Sequence, residues 1–161
     1  ILESGSNLAW ALNYANEMVT NNERAGYSTA ALTKVVEKDG RLKLAYALVG
    51  DSRIYVVDKN SVARQVGHDE GYMNIVTNVI GLIDDEHPRN CTWQFGEVDL
   101  RKGDLVVLCS DGITGDKPEE LMSNQELGEI VRRSRNAEDA AKNLIASARK
   151  NDDRTAVVFS V

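Results

Sequence analysis

The run Leu105-Val106-Val107-Leu108-Cys109 constrains this chain more than any other segment. It is continuously apolar and set between Gly103-Asp104 and Ser110-Asp111-Gly112. A run so short and unbroken, bounded by turn residues, fits a strand buried on both faces at the centre of a sheet. Its end matters as much as its middle. Two further strand-like segments also abut an aspartate among small or polar residues, at Gly50-Asp51-Ser52-Arg53 and Asp152-Asp153-Arg154-Thr155. Taken singly, each aspartate is ordinarily a turn residue closing a strand. Three together carry more weight, because hard cations such as magnesium and manganese need several oxygen ligands and rigid strand ends can aim carboxylates at a common point. A glycine beside each of the first two lets backbone or water come close.

The rest of the pattern sets the fold class. Leu8, Ala11, Leu12, Ala15, Met18 and Val19 recur at helical spacing, with Ser6 or Asn7 placed to cap the helix. Residues 29–36 and 42–49 flank Asp39-Gly40 and read as a β-hairpin; residues 53–57 and 62–66 add two strands, so an antiparallel meander is expected over the first third. Residues 67–90 hold both histidines and are expected to be mostly loop, with a short apolar element at 75–80. Residues 92–98 and 104–109 read as strands about the turn Arg101-Lys102-Gly103-Asp104. Ser123 with Glu126 and Asn136 with Asp139 mark the starts of two helices, and residues 155–161 close the chain as a strand. Strands followed by helices predict an α+β fold, a sandwich of two mainly antiparallel sheets flanked by helices, rather than a doubly wound sheet.

Composition removes other classes. A length of 161 residues suits a single domain with a proper core, and 42% hydrophobic with 27% charged residues gives no sign of disorder. The net charge of −6 and the lack of a dense basic stretch argue against a nucleic-acid partner. No apolar run approaches the roughly 20 residues that span a bilayer, and no leader pattern opens the sequence, so a soluble cytoplasmic protein with no membrane partner is expected. Cys91 and Cys109 lack metal or redox spacing, and Cys109 is expected to be a buried free thiol. The chain begins at Ile1 and reads as a processed or excised piece.

Several tempting residues have plainer explanations. Ser28 lacks the second glycine and following helix of a nucleophile elbow. His68 and His87 sit in no ligand-spaced cluster. Trp10 and Trp93 are expected to pack in the core or at its rim, and Arg132, Arg133 and Arg135 to complement the negative end of a helix.

In order along the chain, Gly26-Tyr27-Ser28-Thr29-Ala30, Gly50-Asp51-Ser52-Arg53-Ile54-Tyr55, residues 74–81, the stretch from Gly103 to Ile113 containing Ser110-Asp111-Gly112, and the closing Asp152-Asp153-Arg154-Thr155-Ala156-Val157-Val158 resemble the metal-dependent protein phosphatases of the type 2C serine/threonine family. The resemblance implies a four-layer α-β-β-α sandwich. It also implies a centre of two or more manganese or magnesium ions holding a water or hydroxide for in-line attack on a phosphoserine or phosphothreonine of a protein substrate. Carried over by position, Asp111 and Asp152 match ligands of the catalytic pair and Asp51 matches a ligand of an additional, weaker site, with Asp111 shared; no residue is implied to be catalytic beyond the metal ligands.

Departures from the family pattern are specific. An aspartate-glycine-x-glycine-glycine segment and an earlier strand carrying an acid and a phosphate-holding arginine are expected before the first helix and are not in this sequence. The chain is therefore expected to be the C-terminal portion of the domain, inactive alone. Where the family usually has an acid four residues after the aspartate matched by Asp111, this chain has Gly115 followed by Asp116, so Asp116 is a candidate substitute through a bulged loop. Asp153 stands where asparagine is usual and keeps an oxygen ligand. The segment between Val66 and Asn74 is much shorter than the family's flap. A phosphatase-like module that has lost its metal centre and acts by binding other proteins is the alternative reading.

Overall fold

A computed structural model describes residues 4–22, 26–72, 75–81 and 93–161. The chain divides into two compact units, one of Ile1–Ser52 with Asp69–Asp99 and one of Arg53–His68 with Leu100–Val161.

The first unit opens with α1 (Ser4–Thr20), followed by β1 (Ala30–Lys38) and β2 (Arg41–Val49). The hairpin turn falls at Asp39-Gly40, where both residues take positive φ, 52° and 72°, the turn geometry that matches the twist of paired strands. β3 (Arg53–Val57) and β4 (Ala63–Val66) belong to the second unit, and the short β5 (Gly71–Tyr72) and β6 (Ile75–Val76) pair as a small hairpin within the first. β7 (Gln94–Asp99) then returns to lie antiparallel to β2, completing the order β1-β2-β7. The expected meander over the first third is thus incorrect: β2 pairs with β7 rather than with β3. The left-handed Gly50, φ 88°, turns the chain out of β2, and a Cβ there would meet the Thr29 side chain at 2.4 Å.

α1 packs on this sheet through Leu12, which shares a cluster with Ala47, Val49 and Ile80. Leu8, Ala15 and Val19 lie against the same cluster, as the helical spacing predicted. Two details differ. The helix already includes Ser6 and Asn7, so neither caps it, and Met18 is exposed while Asn16 is buried instead. Asn16 is placed there because its Oδ1 accepts the Gly81 N–H at 2.8 Å, which satisfies a buried backbone donor. Trp93 packs against the cluster and donates Nε1 to Asn13, but Trp10 is 67% exposed and stacks on Tyr14 rather than entering the core.

The second unit is built on β8 (Leu105–Cys109), which lies between β3 and β9 (Ala156–Ser160) in the order β4-β3-β8-β9. Consecutive residues of a strand face opposite sides, and both Val106 and Val107 are fully buried, so the apolar run is a central strand covered on both faces, as its composition required. A short α2 (Asp111–Thr114), then α3 (Asn124–Arg133) and α4 (Ala137–Ser147), follow. Tyr55, Val57, Val107, Cys109, Ile113, Leu127, Val131 and Leu144 form one core between sheet and helices. Cys109 is buried in this core as a thiol, not a disulfide.

Both predicted caps form. Ser123 accepts the Glu126 N–H at 3.1 Å and Asn136 accepts the Asp139 N–H at 2.8 Å. The reciprocal half of the first capping box does not close, because the Glu126 carboxylate is drawn to Arg149. Arg132 does more than face the helix dipole: its guanidinium donates to the carbonyls of Val57, Asp58 and Gly103, tying α3 to two turns of the sheet. The three-stranded and four-stranded sheets are both antiparallel, as is the small β5–β6 pair, and the architecture is α+β as expected. No described helix is long and apolar enough to cross a membrane.

Candidate metal centre

The site lies in the second unit, where the paired strands β8 and β9 meet the start of α2. The β8–β9 ladder ends at Cys109 opposite Ala156. Ser110 continues it by donating its N–H to the Thr155 carbonyl at 3.1 Å, and its hydroxyl bridges the Asp153 carbonyl and the Thr155 N–H. Asp111 is therefore held beside the 152–155 segment. Gly112 allows the closeness: a Cβ at this residue would stand 2.1 Å from the Asp153 carbonyl oxygen, a separation real side chains do not reach. This is the close approach that the aspartate-glycine pairing suggested.

Three carboxylates meet here at one cation. The Lys150 ammonium pairs with Asp111, with Asp116 at 2.7 Å and with Asp152 at 3.0 Å. Burial works against the charged lysine, but its hydrogen bonds to Asp111, Asp116 and Asp152 outweigh that and raise its pKa. The Asp152 pKa is lowered, first by the hydrogen bond from Lys150 and then by the backbone N–H of Asp153.

Asp116 arrives by a particular route. α2 ends at Gly115, whose φ of 72° and ψ of 168° reverse the chain, and the Gly115 N–H returns to the Asp111 carbonyl at 2.7 Å. Beyond this left-handed glycine, Asp116 reaches the same ammonium as Asp111. Arg53 lines the same loop. It donates to the buried Thr114 hydroxyl and to the Gly115 carbonyl at 3.1 Å, and its guanidinium lies 3.9 Å from Asp116.

Of the residues singled out from sequence, Asp111, Asp116 and Asp152 are brought together. The Asp153 side chain is exposed, and its backbone makes the contacts. Asp51 lies in the first unit, in the turn after β2. Glu70 shapes that turn, since its carboxylate accepts the Gly50 N–H at 3.2 Å and the Asn78 amide at 2.8 Å while its own N–H donates to the Gly50 carbonyl. Sequence reasoning passed over Glu70 and Lys150 and, although it quoted Arg53 within its motif, gave that residue no role. Lys150 stands two residues before a candidate ligand, but a lysine there is ordinarily a solvated surface charge, so its position in the sequence does not mark it as a partner of the carboxylates. His68 is exposed; His87, Cys91 and Asn74 lie outside the described residues.

Among the described residues no three His, Cys, Asp or Glu side chains form a ready-made metal cage. The donor set nevertheless suits a hard divalent cation: it is all carboxylate oxygen, and it already converges on one positive charge.

This fold is that of solved serine/threonine phosphatases. The serine/threonine phosphatase of S. agalactiae aligns with 100% of this chain and 74% of its own, at a TM-score of 0.75 and 20% identity. Stp1 from Staphylococcus aureus aligns with 100% of this chain and 70% of its own, at a TM-score of 0.73 and 20% identity. The manganese-presoaked phosphatase domain of the cell fate determinant SpoIIE from Bacillus subtilis aligns with 99% and 67%, at a TM-score of 0.56 and 18% identity. At such identities the likeness establishes the fold. No curated protein sequence matches the chain. The family model described as Stage II sporulation protein E (SpoIIE) matches residues 1–161, and the chain belongs to this family of type 2C phosphatases.

Proposed function

We propose that this chain supplies part of the metal centre of a protein phosphatase that hydrolyses phosphoserine or phosphothreonine esters. The observation that carries the reading is the meeting of Asp111, Asp116 and Asp152 around one cation. Asp111 and Asp152 act as ligands of the catalytic ions, and Asp116 stands in for the acid displaced by Gly115. Asp51 keeps the role its motif suggests, a ligand of an additional ion, and Asp153 contributes through its backbone. Manganese or magnesium, when bound, acidifies water and neutralises charge on phosphoryl oxygens, so no serine or cysteine nucleophile is required. The chain's own residues hold the carboxylates in place: Ser110 and Gly112 fix the spacing between the two aspartate segments, and Arg53 steadies the Gly115 loop.

The 161-residue chain by itself is expected to hydrolyse phosphate monoesters only at background rate, because its sequence contains no aspartate-glycine-x-glycine-glycine segment. Extended at its N-terminus by a segment bearing that motif, it should release phosphate from a phosphoserine peptide in manganese and lose this in Asp111→Asn and Asp152→Asn. An extended protein that is inert, or indifferent to both substitutions, refutes the reading. One observation favours a second reading, a catalytically dead phosphatase-like module that binds proteins: Lys150 already fills the carboxylate cluster. That module would show no metal-dependent hydrolysis in the extended protein.

A further inference from the structure

We infer that Lys150 is a tethered counter-ion that occupies the metal position and must leave before a divalent ion can bind. The inference rests on the metal reading above and concerns how that site is controlled. Lys150 reaches Asp111, Asp116 and Asp152 from the segment just after α4, with its side chain 17% exposed. Its ammonium contacts three carboxylates at once, so an ion seeking the same oxygens meets both an occupied volume and a like charge. The charge count gives the sign. Three carboxylates against Lys150 and Arg53 leave −1, so adding a divalent ion would leave an excess of +1. With Lys150 swung out the count is −2, and the same ion neutralises it.

The geometry also gives Lys150 a second consequence. In the metal-free chain it is what offsets three gathered carboxylates, which would otherwise repel one another across the β8–β9 end. Lys150 therefore stabilises the metal-free fold and opposes the metal-loaded one. Its stem is long and unbranched, and Asn151 and Asp152 follow it outside any helix or strand, so the ammonium can withdraw without disturbing β9.

The test measures manganese affinity by titration calorimetry and metal-free stability by thermal unfolding, on the 161-residue chain and its Lys150→Met, Lys150→Arg, Asp111→Asn and Asp152→Asn variants. Lys150→Met should bind manganese about tenfold or more tightly, the scale expected when one charge beside a divalent ion is removed at a partly exposed site. Its metal-free melting temperature should fall, and manganese should raise it further than in the native chain. Lys150→Arg, which keeps the charge, should gain no affinity. If Lys150→Met is unfolded without metal, millimolar manganese should restore its circular dichroism, and failure to do so overturns the inference. Equal or weaker manganese binding by a folded Lys150→Met, with binding still abolished by Asp111→Asn and Asp152→Asn, overturns this inference alone. Manganese binding that is indifferent to the two aspartate changes overturns both it and the reading on which it rests.

Discussion

Adding one methyl group at Gly112 should both destabilise the second unit and separate the two halves of the candidate metal centre. A Cβ at this position would lie 2.1 Å from the Asp153 carbonyl oxygen, roughly 1.3 Å inside ordinary contact. The obstacle is backbone rather than the tip of a flexible side chain, so it yields only if α2 or the 152–155 segment moves. Overpacking of this kind typically costs about 1–3 kcal/mol, and a rigid carbonyl places it near about 3. Alanine is the better helix former by at most about 1 kcal/mol, an upper limit in a helix as short as α2. Crowding wins by about 2 kcal/mol. For a chain of this size that corresponds to a fall in melting temperature of about 4–8 °C.

Stability alone does not isolate the site, so the assay pairs thermal unfolding with manganese titration and includes Gly128→Ala. At Gly128 a Cβ would meet the Ser61 carbonyl at 2.0 Å, an equally severe contact that involves none of Asp111, Asp116, Lys150 or Asp152. Both variants should melt early, while only Gly112→Ala should lose manganese affinity, because only it moves Asp111 relative to Asp152. Gly26→Ala, with nothing among the described residues within 4 Å of the added carbon, should behave like the native chain. A Gly112→Ala protein that melts within about 1 °C of native would refute the argument that this glycine is required for close approach.

Two further outcomes test the frame that carries the site. Leu127→Ala removes a fully buried side chain from the core under α3 and should cost about 2–5 kcal/mol, read as a lower urea midpoint at unchanged slope. The Asp58 carboxylate is held below its ordinary pKa, chiefly by the N–H of Val62 against a desolvation effect of opposite sign, with the Asn60 N–H assisting; its stabilising contribution is therefore present above the ordinary aspartate range and lost as pH falls through the lowered folded-state pKa. The native chain should exceed Asp58→Asn in stability at about pH 6 and converge with it at strongly acid pH, and a difference that stays constant on acidification would show that the carboxylate charge is not what holds the β3–β4 turn.

What the sequence could reveal followed from the range of each interaction. Local signals were read correctly: the Asp39-Gly40 turn, the caps at Ser123 and Asn136, and the apolar run that became β8 all depend on residues within a few positions of one another. Partner choice was not local. Nothing near Gly50 states that the strand before it pairs with residues 94–99 while the strand after it joins a different sheet. Trp10 misled for a related reason, since its place in a helical pattern says nothing of which side the sheet will take, and it lies on the exposed side.

The same distinction explains the site. Aspartates at strand ends were visible because strand ends are local, and Gly112 was visible as a residue that permits close approach. The cation between them was not, because a lysine is ordinarily a solvated surface charge and only the folded arrangement of Asp111, Asp116 and Asp152 makes Lys150 a counter-ion. Asp116 makes the point most sharply. Counting along the chain leads to expect an acid at Gly115, yet the left-handed backbone of that glycine carries Asp116 back to the ammonium that Asp111 holds. Spacing along a chain therefore predicts a ligand set only as well as it predicts the backbone conformation between the ligands, and a single glycine between two acids is where that inference is weakest.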